Sequence, residues 1–256
     1  MWDLLKRLVA WLGSLKAPTA EAVAVPKALP AGRQGPYLFV DLYQGDRGPK
    51  PNFDRLKEDP RFVGVILKAW QGLHYDDHGF LKNSWQHVKD LGLLRGVYIY
   101  LNIREDGARQ VSAAWKAIEA AGGWQAGDMR IILDVERAGN DGVTAVQVIS
   151  CVASAASRVK ALTGKDPIFY GRGILEELDI RTAMGCRGAI NPSYTAKIHP
   201  MPKGWDLLLW QYCGDGRSRL KGYPALAPGL GGVDISCYPW GSDQKAYDKM
   251  VKALTE

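Results

Sequence analysis

The chain has 256 residues, of which 46% are hydrophobic and 23% are charged, and its formal net charge is +6. This composition is ordinary for a globular protein with a sizeable core, and the length fits one large domain or two small ones. The positive charge indicates a polyanionic partner such as a cell wall or a membrane surface. The alternative is a basic protein surface with no such partner. A nucleic-acid partner is not predicted, because no run interleaves basic with aromatic residues.

The four cysteines do not indicate a metal centre. They are scattered along the chain, with no CxxC pair and no spacing typical of metal ligands, so buried free thiols are expected. Cys213 and Cys237 fall near the ends of successive predicted strands. Whether these two form a disulfide stays open at this stage.

The first 36 residues differ in character from the rest. Residues 1–16 predict an amphipathic helix with apolar residues on one face and Lys6, Arg7 and Lys16 as its positive charge. Its apolar stretch is too short to span a bilayer, which leaves three interpretations: an interfacial basic helix, a weak signal-like segment, or a helix packed on its own domain. Residues 17–36 predict a linker, and residues 37–256 predict a single barrel domain.

Eight short apolar segments follow, and their nearly continuous hydrophobicity predicts parallel strands buried on both faces. They are Tyr37–Tyr43, Val63–Trp70, Gly96–Leu101, Met129–Glu136, Pro167–Arg172, Gly188–Tyr194, Leu207–Tyr212 and Gly232–Cys237. Helical patterns occupy Phe80–Leu91, Ala108–Ala121, Thr144–Leu162 and Ile174–Met184. The predicted fold is therefore α/β: a TIM-like β/α barrel with five β/α units and three final strands with few helices.

The fourth strand ends in two carboxylates one residue apart, Asp134 and Glu136. Side chains alternate along a strand, so both are expected on one face, roughly 7 Å apart along the backbone. Carboxylates after such an apolar run are costly unless they serve a function. A pair in which one member holds a proton while the other stays ionised is what cleavage of a glycosidic bond requires.

Other strands also end in acids, aromatic rings and amides, and barrel active sites lie at the carboxyl ends of the strands. We therefore expect one cleft that holds Asp41, Lys68, Trp70, Tyr98, Tyr100, Asp134, Glu136, Tyr170, Asn191, Tyr194, Trp210, Gln211 and Asp234. Aromatic rings stack on the apolar faces of sugars, while acids and amides bind hydroxyl groups. The composition of this cleft predicts a saccharide ligand.

Six short motifs over roughly residues 37–240 resemble those of the glycoside hydrolase family 25 lysozymes, in the same order. They are Asp41-Leu42-Tyr43-Gln44-Gly45, Lys68-Ala69-Trp70-Gln71-Gly72, Gly96-Val97-Tyr98-Ile99-Tyr100, Leu133-Asp134-Val135-Glu136, Trp210-Gln211-Tyr212 and Val233-Asp234. Two positions depart from the family pattern: Ile99 stands where His is common, and Asn191-Pro192-Ser193-Tyr194 replaces a motif that contains Trp. The acid signature of family 18 chitinases is absent.

The resemblance implies a muramidase that cleaves the β-1,4 bond between N-acetylmuramic acid and N-acetylglucosamine in peptidoglycan. It makes Glu136 the general acid and places Asp134, Asp41 and Asp234 around the reacting sugar, with Lys68 offsetting their charge. No metal or organic cofactor is expected, because two carboxylates and water suffice. The natural setting would be a monomeric phage endolysin that moves from the host cytoplasm to the envelope, or a secreted enzyme, with residues 1–16 contacting membrane or envelope.

Two other functions remain open from the sequence. A non-catalytic glycan-binding barrel, acting as a cell-wall or virion module, would keep the aromatic cleft without acid catalysis. A chitin-degrading enzyme of the same barrel type would act on a related polymer. The complete set of four acids favours an enzyme over the binding module, and the products released from chitin or from peptidoglycan would separate the two enzymes.

Overall fold

The computed structural model describes residues 36–44, 51–75 and 79–256. Nine strands form one sheet: β1 Tyr37–Leu42, β2 Phe62–Gln71, β3 Leu94–Tyr100, β4 Ile132–Asp134, β5 Ile168–Tyr170, β6 Ala189–Pro192, β7 Leu207–Gly214, β8 Arg217–Ser218 and β9 Asp234–Tyr238. The predicted helix over residues 1–16 and nearly all of the predicted linker lie outside the described residues.

The sheet closes into a barrel of eight strands. Its order is β6-β5-β4-β3-β2-β1-β9-β7, and β6 also pairs with β7, so no edge of the barrel stays open. Strands β1 to β7 run parallel where they pair, as the unbroken apolar runs predicted. The predicted α/β barrel is confirmed.

The direction of the last strand was predicted wrongly. Strand β9 runs antiparallel to both of its neighbours, β1 and β7. The connection from β7 to β9 holds no α-helix, only the two-residue strand β8 and turns. Without a helical crossover the chain returns in the opposite direction, which is the ordinary geometry of strands joined by loops.

Helices cover part of the outside of the barrel. They are α1 Phe80–Asp90, α2 Gly107–Ala120, α3 Ala145–Thr163, α4 Arg172–Glu177 and α5 Gln244–Thr255, with a short 3-10 helix at Phe53–Glu58 between β1 and β2. Helix α4 is shorter than predicted: the chain takes a left-handed conformation at Asp179, with φ of 49°, soon after the helix ends. Helix α5 was not predicted.

The core has two layers, which follow from the alternation of side chains along each strand. In β1, Leu38 and Val40 pack outward with the helices, whereas Tyr37 and Phe39 point into the barrel. The inner layer also includes Met250 and other apolar residues of α5. Helix α5 therefore packs against the barrel interior at the amino-terminal ends of the strands, and the opposite end stays accessible.

All four cysteines are buried free thiols. Cys213 and Cys237 lie on the paired strands β7 and β9, but they form no disulfide. Burial raises the pKa of the Cys213 thiol to about 11 and that of Cys237 to about 12, so both act as small apolar side chains.

Candidate active site

Asp134 and Glu136 lie together at the accessible end of the barrel. Asp134 is the last residue of β4 and is 8% exposed, and Glu136 follows two residues later, half-buried. Both line one cleft of about 210 Å³. The two carboxylates therefore share one cavity, although Glu136 lies beyond the end of β4.

The cleft collects side chains from strands that are far apart in sequence. Eight predicted site residues line it: Asp41, Lys68, Tyr98, Tyr100, Asp134, Glu136, Tyr170 and Asp234. Ile66, Ile132 and Ile190 add apolar surface. The cavity thus combines carboxylates, phenol rings and aliphatic groups, the mixture that suits a sugar ring with its polar edges and apolar faces.

The reversed direction of β9 explains how Asp234 reaches this cleft. Asp234 is the first residue of β9, and it pairs in register with Asp41 near the end of β1. In an antiparallel pair, the start of one strand lies beside the end of the other. A parallel strand would have carried Asp234 toward the opposite end of the barrel.

Burial and mutual repulsion set the charge state of the carboxylate pair. The pKa of Asp134 is raised well above its usual value, first by burial and then by the charge of Glu136, and Lys68 opposes this rise. Burial also raises the pKa of Glu136, while the neighbouring Tyr170 side chain and the charge of Lys68 pull it back. Oδ1 of Asp134 is buried and accepts no hydrogen bond. The pair therefore holds a proton more tightly than free carboxyl groups do.

Lys68 is the cation of the cleft. Its Nζ donates to Gln71 Oε1 at 2.6 Å and lies 5.0 to 5.8 Å from the ring centroids of four tyrosines. These are Tyr43, Tyr75, Tyr98 and Tyr100. Ring faces stabilise an ammonium group, which offsets part of the cost of burying Lys68 at 8% exposure.

Gln211 connects the acids beneath the cleft. Its Nε2 donates to Asp41 Oδ2 at 2.9 Å and to Asp234 Oδ2 at 3.4 Å. Its Oε1 accepts the hydroxyl groups of Tyr170 at 2.8 Å and Tyr194 at 2.7 Å. Gln211 is 1% exposed, so it holds two carboxylates and two phenols in place from below.

Four other predicted substrate-binding residues do not line this cleft. Trp210 is 4% exposed and donates to Ser193 O, and Asn191 is fully buried and donates to His199 O. Both lie in the core, because neighbouring residues of a strand face opposite sides. Trp70 packs edge-on against Tyr75, and Tyr194 lies in an adjoining pocket.

The site prediction also omitted two polar residues of the cleft. Tyr43 follows β1, is 43% exposed and lies over Lys68. Asp215 lies in the turn between β7 and β8, at φ of 49°, and its backbone N–H donates to Asp234 Oδ1 at 2.8 Å. The run Gly214-Asp215-Gly216 is a typical turn signal, but its position beside the cleft depends on the barrel closing.

The cleft continues in two directions. One adjoining pocket shares Tyr100 with it and extends past Asn102 and Glu105. The other shares Asp215 and Asp234 and extends past Tyr194 to Arg217 and Arg219. A ligand longer than a single ring would therefore meet a surface on both sides of the carboxylate pair. Across the described ranges, no group of three or more His, Cys, Asp or Glu side chains is arranged to hold a metal ion.

Solved structures share this fold. The bacterial lysozyme from Streptomyces coelicolor matches with a TM-score of 0.70 at 18% identity, over 87% of this chain and 99% of that one. A muramidase from Trichobolus zukalii matches with a TM-score of 0.67 at 21% identity, over 85% and 100%. The catalytic domain of endolysin ply40 from bacteriophage P40 of Listeria monocytogenes matches with a TM-score of 0.59 at 20% identity, over 86% and 99%.

Sequence comparison supplies the family. YegX of Escherichia coli strain K12 is 30% identical over 114 residues, 44% of this chain, and the match spans only 39% of YegX. The sequence model described as Glycosyl hydrolases family 25 matches residues 40–218, well over half of the chain and including Asp41, Asp134 and Glu136. The chain therefore belongs to family 25 of the glycosyl hydrolases.

Proposed function

We propose that this protein is a peptidoglycan hydrolase, an N-acetylmuramidase that cleaves the β-1,4 bond between N-acetylmuramic acid and N-acetylglucosamine. One observation carries the proposal: Asp134 and Glu136 share a sugar-sized cleft in which both pKa values are raised. Hydrolysis of a glycosidic bond needs one carboxyl group that is protonated near neutral pH and another that is ionised. A coupled pair of buried acids supplies both states from a single shared proton.

Glu136 is the general acid in this proposal. It is the more accessible of the two, and it lines the cleft beside Tyr170. Glu136 donates its proton to the glycosidic oxygen as the bond to the anomeric carbon breaks. The proton then sits on the leaving hydroxyl group, and the electron pair of the broken bond stays on that oxygen.

In the reactive state the shared proton of the pair lies on Glu136, and Asp134 then carries the negative charge that offsets the oxocarbenium-like transition state. It lies at the base of the cleft, with one oxygen that accepts no hydrogen bond. This carboxylate either stabilises the anomeric carbon directly or orients the acetamido group of the substrate as the nucleophile. Asp41 and Asp234, held by Gln211, add negative potential on the same side.

The shape of the cleft supports a polymeric substrate. The pair of acids lies between two adjoining pockets, so the bond to be cleaved would lie mid-chain rather than at a terminus. Tyr43, Tyr98 and Tyr100 supply ring surface for sugar faces. This arrangement favours cleavage within glycan strands.

A phage lysis enzyme is the setting that we propose for this activity. The match to an endolysin catalytic domain and the basic net charge of +6 support an enzyme that acts on an anionic envelope. The work would be done at the cell wall, after the protein leaves the host cytoplasm or is secreted. The amphipathic pattern of residues 1–16 would bring it to the membrane or envelope.

The ends of the products test this function directly. Purified peptidoglycan is digested with the protein, and the new reducing ends are reduced with borohydride and identified after acid hydrolysis. We expect muramic acid to be converted to its reduced form in proportion to the loss of turbidity. Reduced glucosamine would instead identify a glucosaminidase, release of soluble products from chitin but not from peptidoglycan would identify a chitinase, and binding without new ends would identify a glycan-binding module.

A further inference from the structure

A second pocket lies at the end of the barrel opposite the catalytic cleft. It has a volume of about 670 Å³, and its charged lining residues are Arg130, Lys165, Arg187, Lys249, Lys252, Asp206 and Glu256. Five of these side chains are cationic and two are acidic. We call it the basic pocket.

Chain topology assembles the basic pocket from separate segments. Arg130, Lys165 and Arg187 each lie two or three residues before a parallel strand, namely β4, β5 and β6. The amino-terminal ends of parallel strands meet at one end of a barrel, so these cations converge there. Lys249 and Lys252 come from the last turns of α5, which packs against the same end.

Arg130 is the buried cation of this pocket, and its side chain is fixed by the fold. It is 2% exposed, and its guanidinium donates to the backbone oxygens of Asp166, Arg187 and Ala253. None of these partners is a carboxylate, and Arg130 Nε is buried with no hydrogen-bond partner. Burial and then the charge of Arg187 lower its pKa to about 10. The guanidinium charge is therefore desolvated, the charge of Asp166 offsets this only in part, and no carboxylate accepts a hydrogen bond from it.

Three of the four other cations of the pocket also lack an ion pair within the described ranges. Lys165, Arg187 and Lys249 form no ion pair with any residue in the described part of the chain. The acid Glu256 is 3.8 Å from Lys252. Like charges gathered around one hollow repel one another, and an anion bound between them would remove that repulsion.

We propose that the basic pocket binds a phosphoryl anion, either free phosphate or the phosphodiester of an anionic lipid headgroup. Guanidinium and ammonium groups around a hollow suit a tetrahedral anion with several acceptor oxygens. The lipid source has a further argument: β1 begins at this end of the barrel, so the chain arrives there from residues 1–35, which include the predicted amphipathic segment. A headgroup site on that face would hold the catalytic cleft away from the membrane, toward the wall.

The test compares a double variant with a matched control. Arg187→Gln/Lys249→Gln removes two exposed cations of the pocket, and Lys245→Gln removes an exposed cation of α5 that does not line it. Inorganic phosphate is titrated into each protein by calorimetry at constant ionic strength. The same proteins are mixed with vesicles of phosphatidylglycerol or of phosphatidylcholine and sedimented.

We expect wild type and Lys245→Gln to bind phosphate alike, and the double variant to bind at least about tenfold more weakly. Loss of binding to phosphatidylglycerol vesicles in the double variant would identify a lipid as the source. Unchanged vesicle binding with loss of phosphate binding would identify free phosphate. The proposal is overturned if wild type binds neither probe, if the double variant binds as wild type does, or if Lys245→Gln loses as much as the double variant. Peptidoglycan hydrolysis, measured alongside, is expected to be equal in all three proteins, so this result and the test of catalysis are independent.

Discussion

At the scale of one residue, Asp134 contributes a carboxyl group to the cleft and lowers the stability of the folded state. Its carboxyl group is 8% exposed, has an oxygen without a hydrogen bond and is repelled by Glu136, Asp41 and Asp234. The folded state therefore favours the protonated form. Above the ordinary carboxyl pKa of about 3.9, ionisation of Asp134 costs folding free energy.

Replacement of Asp134 by Asn should therefore stabilise the fold at neutral pH while it abolishes hydrolysis. We expect a gain of about 1 kcal/mol in the free energy of unfolding at pH 7, measured by urea denaturation. The gain should shrink as the pH falls toward 4, because wild-type Asp134 then becomes neutral too. Asp248→Asn, at an exposed position on α5, serves as the control. A destabilised Asp134→Asn at pH 7 would contradict this account of the charge.

Lys68 tunes the carboxylate pair, and its removal should shift the pH dependence of hydrolysis. Its positive charge lowers the pKa values of both Asp134 and Glu136. In Lys68→Met we expect both pKa values to rise, so Glu136 keeps its proton to higher pH. The basic limb of the pH–rate profile therefore shifts to higher pH. The profile of kcat/KM against pH measures this. Lys82→Met, on the exposed face of α1, should leave the limb in place, and a downward shift in Lys68→Met would refute the assignment.

The polar residues of the cleft differ in how readily the sequence reveals them. The carboxylate pair of Asp134-Val135-Glu136 could be predicted from the local sequence, because side chains alternate along a strand and both would lie on one face. The position of Asp215 could not be predicted, because it depends on a turn that meets β9 across the barrel. Trp210 and Asn191 were predicted to reach the ligand, but the side of the strand that each faces is set by the register, which one sequence does not reveal.

At the scale of elements, buried parallel strands were predictable and the final antiparallel strand was not. Continuous hydrophobicity marks a strand covered on both faces, whatever its direction. The direction of a strand depends on how the chain connects it to the preceding strand. The sequence between β7 and β9 does not indicate whether that connection leads to an antiparallel or a parallel strand. The helix α5 escaped prediction, although Asp243 caps it and Ala246, Tyr247, Met250 and Leu254 form its buried face.

The contact between α2 and α3 depends on a glycine. A Cβ at Gly107 would lie 2.1 Å from the backbone oxygen of Cys151 and 3.0 Å from the nitrogen of Ala155, both in α3. We expect Gly107→Ala to cost about 1–3 kcal/mol of stability, since backbone on both sides has to move. Thermal unfolding measures the loss. The control is Gly173→Ala in α4, where the added methyl meets nothing within 4 Å and should be neutral; equal effects of the two changes would refute the close contact.

At the scale of the whole molecule, the two ends of the barrel carry different sets of charged groups. The carboxyl ends of the strands hold the acids, and the amino-terminal ends hold α5 and the basic pocket. The closed sheet needs no contribution from residues 1–35 to pair its strands. The boundary between linker and barrel near residue 37 stays a prediction of the sequence.

Removal of residues 1–35 should therefore leave the barrel folded and active on soluble peptidoglycan fragments, within about twofold of the full chain. The same truncation should weaken sedimentation with membrane vesicles if residues 1–16 form an interfacial helix. Circular dichroism and the rate on soluble fragments measure the first expectation, and vesicle sedimentation measures the second. Loss of cooperative unfolding in the truncated chain would show instead that these residues pack on the barrel.

We propose that Glu136 supplies the proton for cleavage of peptidoglycan. The initial rate of reducing-end release from purified peptidoglycan tests it with wild type, Glu136→Gln and Glu119→Gln, the last at an exposed glutamate of α2. We expect Glu136→Gln to lose at least about 100-fold in rate and Glu119→Gln to match wild type. A Glu136→Gln protein that releases reducing ends as fast as wild type would contradict the mechanism.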